Sequence, residues 1–187
     1  MALDVWNKFP SKVKRIITIG MVFVLSLAIT IAGTLTPLTE EEITQINNEL
    51  EDLRGIVYNS TVTRGTALIF GNNFMLCLSF FVPFFGPFFG GYVLYSTGVS
   101  IAAQSAAEGM NPVIVLLSLF ILPFTWLEFI AYSTAIAQSV WLTWRIIKHR
   151  GKRELVNTCV MISLCAVILL IAAIIEILII QAVTSAL

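Results

Sequence analysis

Read by its apolar and polar positions, the chain falls into long uncharged blocks joined by short polar segments. Residues 16–36 hold the first block, with no charge from Ile16 to Leu35. A helix needs about 20 apolar residues to cross a bilayer, so this block predicts a span. A signal peptide has an apolar core of only about 7–15 residues, so the span is expected to be retained. Pro37 ends it, because the residue before a proline is pushed out of the helical region. Residues 37–63 differ in kind. Thr39 followed three residues later by Glu42 makes a capping box. Ile43, Ile46, Leu50 and Leu53 then recur at helical spacing, with Glu49, Glu51 and Asp52 off that stripe. The pattern predicts one amphipathic helix, stopped near Gly55, whose apolar face lies on the membrane surface or against a partner protein.

Residues 66–82 predict a second span with Asn72 and Asn73 in its first half. Pro83, Gly86, Pro87, Gly90 and Gly91 follow within nine uncharged residues and predict a break. It is either a tight hairpin or a re-entrant bend packed inside protein, since unpaired backbone groups cannot face lipid. Residues 88–106 predict a third span. Residues 113–144 would reach about 48 Å as one helix, more than the ~30 Å hydrocarbon core. Pro123 is therefore expected to kink this fourth span. A basic loop, 145–154, precedes the last span, 155–183. The expected fold is an all-α, polytopic transmembrane helix bundle of about five spans, forming one membrane domain over 1–187.

Composition agrees: 58% of residues are hydrophobic and 12% charged, with a mean hydropathy of +0.92. Soluble domains carry about twice that charged fraction. The charge distribution adds an orientation. Lys8, Lys12, Lys14 and Arg15 precede the first span, in a lead-in (1–15) whose Trp6 and Phe9 suit the lipid headgroups. Arg145, Lys148, Arg150, Lys152 and Arg153 lie between the fourth and fifth spans, so these two places hold nine of the eleven basic residues. Four intervening spans return the chain to the same side. Both basic segments can then be cytoplasmic, with the acidic 37–63 segment and the C-terminus outside. Zero formal net charge gives no footprint for nucleic acid.

Candidate chemistry is sparse. Between Thr66 and Trp144 the only charges are Glu108 and Glu128. Glu128, five residues after Pro123, is an intramembrane carboxylate, and such groups must be protonated, paired or wet. It reads as a proton or cation site or a catalytic acid, or as a polar clasp to a neighbouring helix or to carbonyls freed by Pro123. Glu176 in the last span is a second such group. Asn72 and Asn73 are natural donors to Glu128. Gln104, Gln138 and Gln181 read as helix–helix hydrogen bonders, and small residues four apart (Gly86 and Gly90, Ser96 and Ser100, Ala102 and Ala106, Ala131 and Ala135) as close-packing faces. Cys77, Cys159 and Cys165 fall in apolar stretches and read as buried reduced thiols. With one histidine, His149, no two-histidine zinc motif can form. No nucleophile elbow, phosphate loop or dinucleotide fingerprint occurs. No catalytic set, cofactor or metal is expected. Asn59-Ser60-Thr61 is a glycosylation sequon.

On this organisation the region from Ala67 to Trp144 resembles the stage II sporulation protein M family of bacteria and archaea. The likeness rests on Ile69-Phe70-Gly71-Asn72-Asn73 opening the second span, on the aromatic, glycine-rich turn from Gly86 to Gly91, and on Pro123-Phe124-Thr125-Trp126-Leu127-Glu128 in the fourth. Phe124 and Thr125 stand where the family motif has His and Gly. The resemblance implies a membrane scaffold, which in spore formers recruits cell-wall-degrading enzymes, although many relatives occur in organisms that form no spores.

Two functions follow. The first is a non-enzymatic scaffold or accessory subunit of a membrane complex, holding a protein partner through the outer amphipathic helix and the small-residue faces. The alternative is a small transporter or permease component using Glu128 with Asn72 and Asn73 at a broken helix. A carrier of five spans would be expected to form a homo-oligomer.

Overall fold

The computed structural model describes residues 10–58, 60–149 and 151–184, with the side chains of Leu53, Tyr58 and Arg153 left aside. The expectations for Trp6, Lys8 and Phe9, for Asn59 of the sequon and for the Leu53 side chain therefore fall outside the described residues. Within them the chain is all-α. Seven helices follow in order: α1 (Ser11–Thr34), α2 (Glu40–Tyr58), α3 (Val62–Phe80), α4 (Gly86–Ala107), α5 (Pro112–Leu119), α6 (Pro123–Ile147) and α7 (Gly151–Thr184).

Helix α6 is the centre. Every residue from Ala131 to Ser139 is buried, and α7, α1, α3 and α4 all pack on it. Its neighbours turn small or aromatic groups inward. Phe80 meets Tyr132 edge-on with ring centroids 5.3 Å apart, and Cys77, Ala135, Cys165 and Leu169 fill the space between. Helices α1 and α4 cross at two glycines. A Cβ on Gly33 would overlap the Tyr95 carbonyl oxygen, and one on Gly98 would overlap that of Thr30. Only a bare backbone allows this approach.

The outside of the bundle inverts the usual soluble pattern. On α1, Ser26, Thr30, Gly33 and Thr34 are buried, while Met21, Val24, Leu25 and Ile31 are exposed. The buried hydroxyls are satisfied locally: Thr30 donates to the Ser26 carbonyl at 3.1 Å and Thr34 to that of Thr30 at 2.9 Å. Helix α7 likewise exposes Val156, Val160, Leu164 and Val167. Among the described residues, two helices are long and apolar enough to cross a membrane, Ser11–Thr34 and the Glu154–Thr184 stretch of α7, or up to three if α5 and α6 count as one bent span. That is fewer than the five expected. Helix α3 is diluted by Arg64, Asn72 and Asn73, and α4 by glycines, serines and Gln104.

Several boundaries differ from expectation. The break after α3 is short. Pro87 occupies the first turn of α4, and Gly90 and Gly91 lie inside that helix, so of the five break residues only Pro83 sits in the turn and Gly86 begins the helix. Proline is tolerated in a first turn. Gly90 instead makes room for Ile136, whose Cδ1 would be 2.6 Å from an added Cβ. Pro123 does more than kink a helix: α5 and α6 meet at 87°. Helix α2 runs through Gly55 to Tyr58 rather than stopping there. The basic loop shrinks because α6 continues to Ile147 and α7 begins at Gly151. Cys159 is exposed, unlike Cys77 and Cys165.

The exposed breaks are closed by side chains of α6. Ser139 donates to the Val82 carbonyl at 2.7 Å, and the Phe84 amide donates to Thr143 Oγ1 at 2.9 Å. Thr125 Oγ1 and Trp126 Nε1 donate to the Leu119 and Phe120 carbonyls, each at 2.8 Å. These bonds take up the carbonyls left by Pro123, a role also considered for Glu128. A buried backbone group left unpaired would cost about 1–3 kcal/mol.

Candidate functional site

Glu128 lies on the second turn of α6, where the right-angle break has turned the chain back into the bundle. Helix α3 approaches α7 closely at Gly65, where an added Cβ would be 2.5 Å from Ile177 Cδ1. Ile69 then packs on Ala173 and Ile177. That contact sets the next turns of α3 beside both α6 and α7. Asn73 Nδ2 donates to Glu128 Oε1 at 2.5 Å, and Asn72 Nδ2 donates to Asn73 Oδ1 at 3.3 Å. Asn72 therefore acts through Asn73 rather than touching the carboxylate.

Glu176 on α7 lines the same cavity as Asn72, Asn73 and Glu128. The cavity holds about 400 Å³, is open on one side, and is roofed by Ile56 and Val57 from the last turn of α2. Four residues singled out from the sequence thus meet at one place, drawn from three helices. Among the described residues, neither carboxylate has an ion-pair partner. Both are half-buried. The arrangement presents two acids from different helices, one oriented by an amide relay, to a cavity large enough for water or a cation.

The face of Ile43, Ile46 and Leu50 is placed differently from expectation. It is half-buried against α4 of the same chain. Asn47 Nδ2 donates to the Ala103 carbonyl at 3.1 Å, and Arg54 donates to Gln104 Oε1 at 2.7 Å. An amphipathic stripe shows that a helix has something to cover; it does not show whether the cover is foreign. The capping box does form, with the Thr39 amide and hydroxyl donating to Glu42 Oε2, each at 2.8 Å. The bond from the Thr39 amide, followed by that from its hydroxyl, holds the Glu42 carboxyl below the usual carboxylate value.

A second polar cluster lies at the other end of the bundle and was not anticipated. Arg15 on α1 donates through Nη1 to Gln138 Oε1 at 2.8 Å and through Nη2 to Glu154 Oε1 at 2.5 Å. Gln138 Nε2 donates to Glu154 Oε1 at 2.8 Å and to Thr158 Oγ1 at 3.0 Å. Arg145 Nε sits 3.7 Å from Glu154 Oε2. The Arg15 and Arg145 guanidinium groups lie over the rings of Trp141 and Trp144, at 5.3 and 5.2 Å. Charge counting treated the two arginines as topology signals and Gln138 as generic glue. The overlooked signal was Glu154, the single carboxylate among the five cations of the basic segment.

No family model, curated protein or solved structure matches this chain. The resemblance to the stage II sporulation protein M family therefore rests on its motif residues, of which Asn73 and Glu128 are in contact.

Proposed function

We propose that the chain is a five-span membrane protein acting as a small, non-enzymatic carrier component that takes up a cation or proton at Glu128 and Glu176. In this reading the N-terminus is cytoplasmic, the C-terminus is outside, and the Glu128 cavity opens outward beneath α2. The apolar outer faces of α1 and α7 and the segregation of nine of eleven basic residues support it. The observation that carries it is the shared cavity of Glu128, Glu176, Asn72 and Asn73, with no cation paired to either acid among the described residues. Carboxylates at membrane depth without a fixed counter-charge are costly, and bind or exchange a positive charge more readily than paired ones. A homo-oligomer is part of the proposal, since five spans are few for a carrier.

Reconstitution in proteoliposomes tests it. Imposed proton and alkali-cation gradients should dissipate through the wild type, and Glu128→Gln should abolish the flux while the protein still assembles. Equal flux in both would end the carrier reading.

A scaffold or accessory subunit, the role implied by the sporulation-protein resemblance, is the second reading. It draws on the exposed acids of α2, Glu41, Glu49, Glu51 and Asp52, which suit a basic partner. Its apolar stripe and the Ala131 and Ala135 face are already used inside the chain. Pull-down from native membranes in mild detergent would recover a stoichiometric partner if this reading holds.

A further inference from the structure

At the end of the bundle opposite Glu128, a cavity of about 970 Å³ opens between the start of α1, the end of α6 and the start of α7. Its lining includes Lys12, Arg15, Arg145 and Lys152 against one carboxylate, Glu154, so four positive charges face one negative. Glu154 Oε1 is already engaged by Arg15 and Gln138. Among the described residues, Lys12 and Lys152 form no ion pair, and both are exposed. Arg145 Nε is buried and makes no hydrogen bond. The cluster is therefore built with more positive charge than its own acid neutralises.

A second cavity, of about 450 Å³, adjoins it and shares Ser11 and Arg145. This one is flanked by Val140, Trp141 and Trp144. Trp141 forms part of the wall, under the Arg15 guanidinium at 5.3 Å. Val140 and Trp144 are exposed, as is Val156 at the rim of the basic cavity.

We propose that the two cavities together bind an anionic phospholipid, with its phosphate among Lys12, Arg145 and Lys152 and an acyl chain over Val140 and Trp144. A phosphate oxyanion is the shared chemistry of such a lipid and of free phosphate. The exposed apolar trough of Val140 and Trp144 beside the charge selects the lipid. Basic pockets between membrane helices are suited to such headgroups. The proposal needs only that the chain sits in a membrane, so it stands or falls apart from the carrier reading.

The full chain, purified in mild detergent, is titrated with phosphatidylglycerol and with phosphatidylcholine, and bound lipid is counted by native mass spectrometry. Phosphatidylglycerol should bind at least tenfold more tightly. Lys12→Gln with Lys152→Gln should weaken it roughly 10- to 30-fold and leave phosphatidylcholine unchanged, with melting temperature unaltered because both lysines are exposed. On the wild type, raising salt should reduce the preference, which gives a readout independent of any variant. Equal affinity for the two lipids, or an unchanged preference in the double variant, overturns the proposal. Binding of inorganic phosphate with no preference between the lipids overturns the lipid as the source.

Discussion

The two polar clusters use similar residue types to opposite effect. At one end Glu154 is nearly buried, its side chain 4% exposed, and two arginines and a glutamine converge on it from α1 and α6. At the other, Glu128 has one amide donor and shares an open cavity with a second acid. The first set surrounds its acid with protein cations in excess and ties three helices together. The second leaves two acids with no protein cation beside them among the described residues. An acid surrounded by protein cations holds a fold; an acid facing a cavity without one is free to act on something else.

Removing each acid should break this comparison in different ways. Glu154→Ala strands Arg15 and Arg145 and should cost about 3–5 kcal/mol, the penalty for opening a buried ion pair from one side. Thermal unfolding in detergent would read it as a large drop in melting temperature. Gly98→Ala, whose added Cβ would overlap the Thr30 carbonyl oxygen, should cost about 1–3 kcal/mol through overpacking at the α1–α4 crossing, with no charged group involved. If it outweighs Glu154→Ala, packing rather than the polar clamp is the principal anchor of α1. Glu128→Gln keeps a group able to bond Asn73 and should change stability by less than about 1 kcal/mol. A loss as large as that of Glu154→Ala would make Glu128 a second clamp.

The smallest effect is at the capping box. The Glu42 carboxyl is held below its ordinary value in the fold, so its contribution to the α2 start is present above the unfolded carboxylate range and is lost as pH falls through the depressed value. The Thr39 amide shift should follow that titration, and Glu42→Gln should flatten it.

Much of the helical order was legible. Long uncharged blocks and the Thr39–Glu42 box located the helices within a few residues, since apolar length and capping are local properties. Asn73 beside Glu128 was legible too, because an isolated carboxylate in an apolar block needs a donor. What was not legible depended on three-dimensional proximity. Gly33 and Gly98 are 65 positions apart; Gly98 stands four before Ala102, but Gly33 has no small residue four away to mark it. The Glu154 clamp joins α1 to α6 and α7 across 139 positions. The 87° break at Pro123 also exceeds what one proline implies.

The central claim is that Glu128 meets a cation from the cavity. The most direct measurement is labelling of the reconstituted protein with a hydrophobic carbodiimide, with the modified carboxylate located by peptide mass and the rate followed against added cations. Selective labelling of Glu128 that is slowed by a cation, while Glu154 stays unreactive, is the predicted result. Labelling unaffected by any cation, or confined to Glu154, would contradict the account.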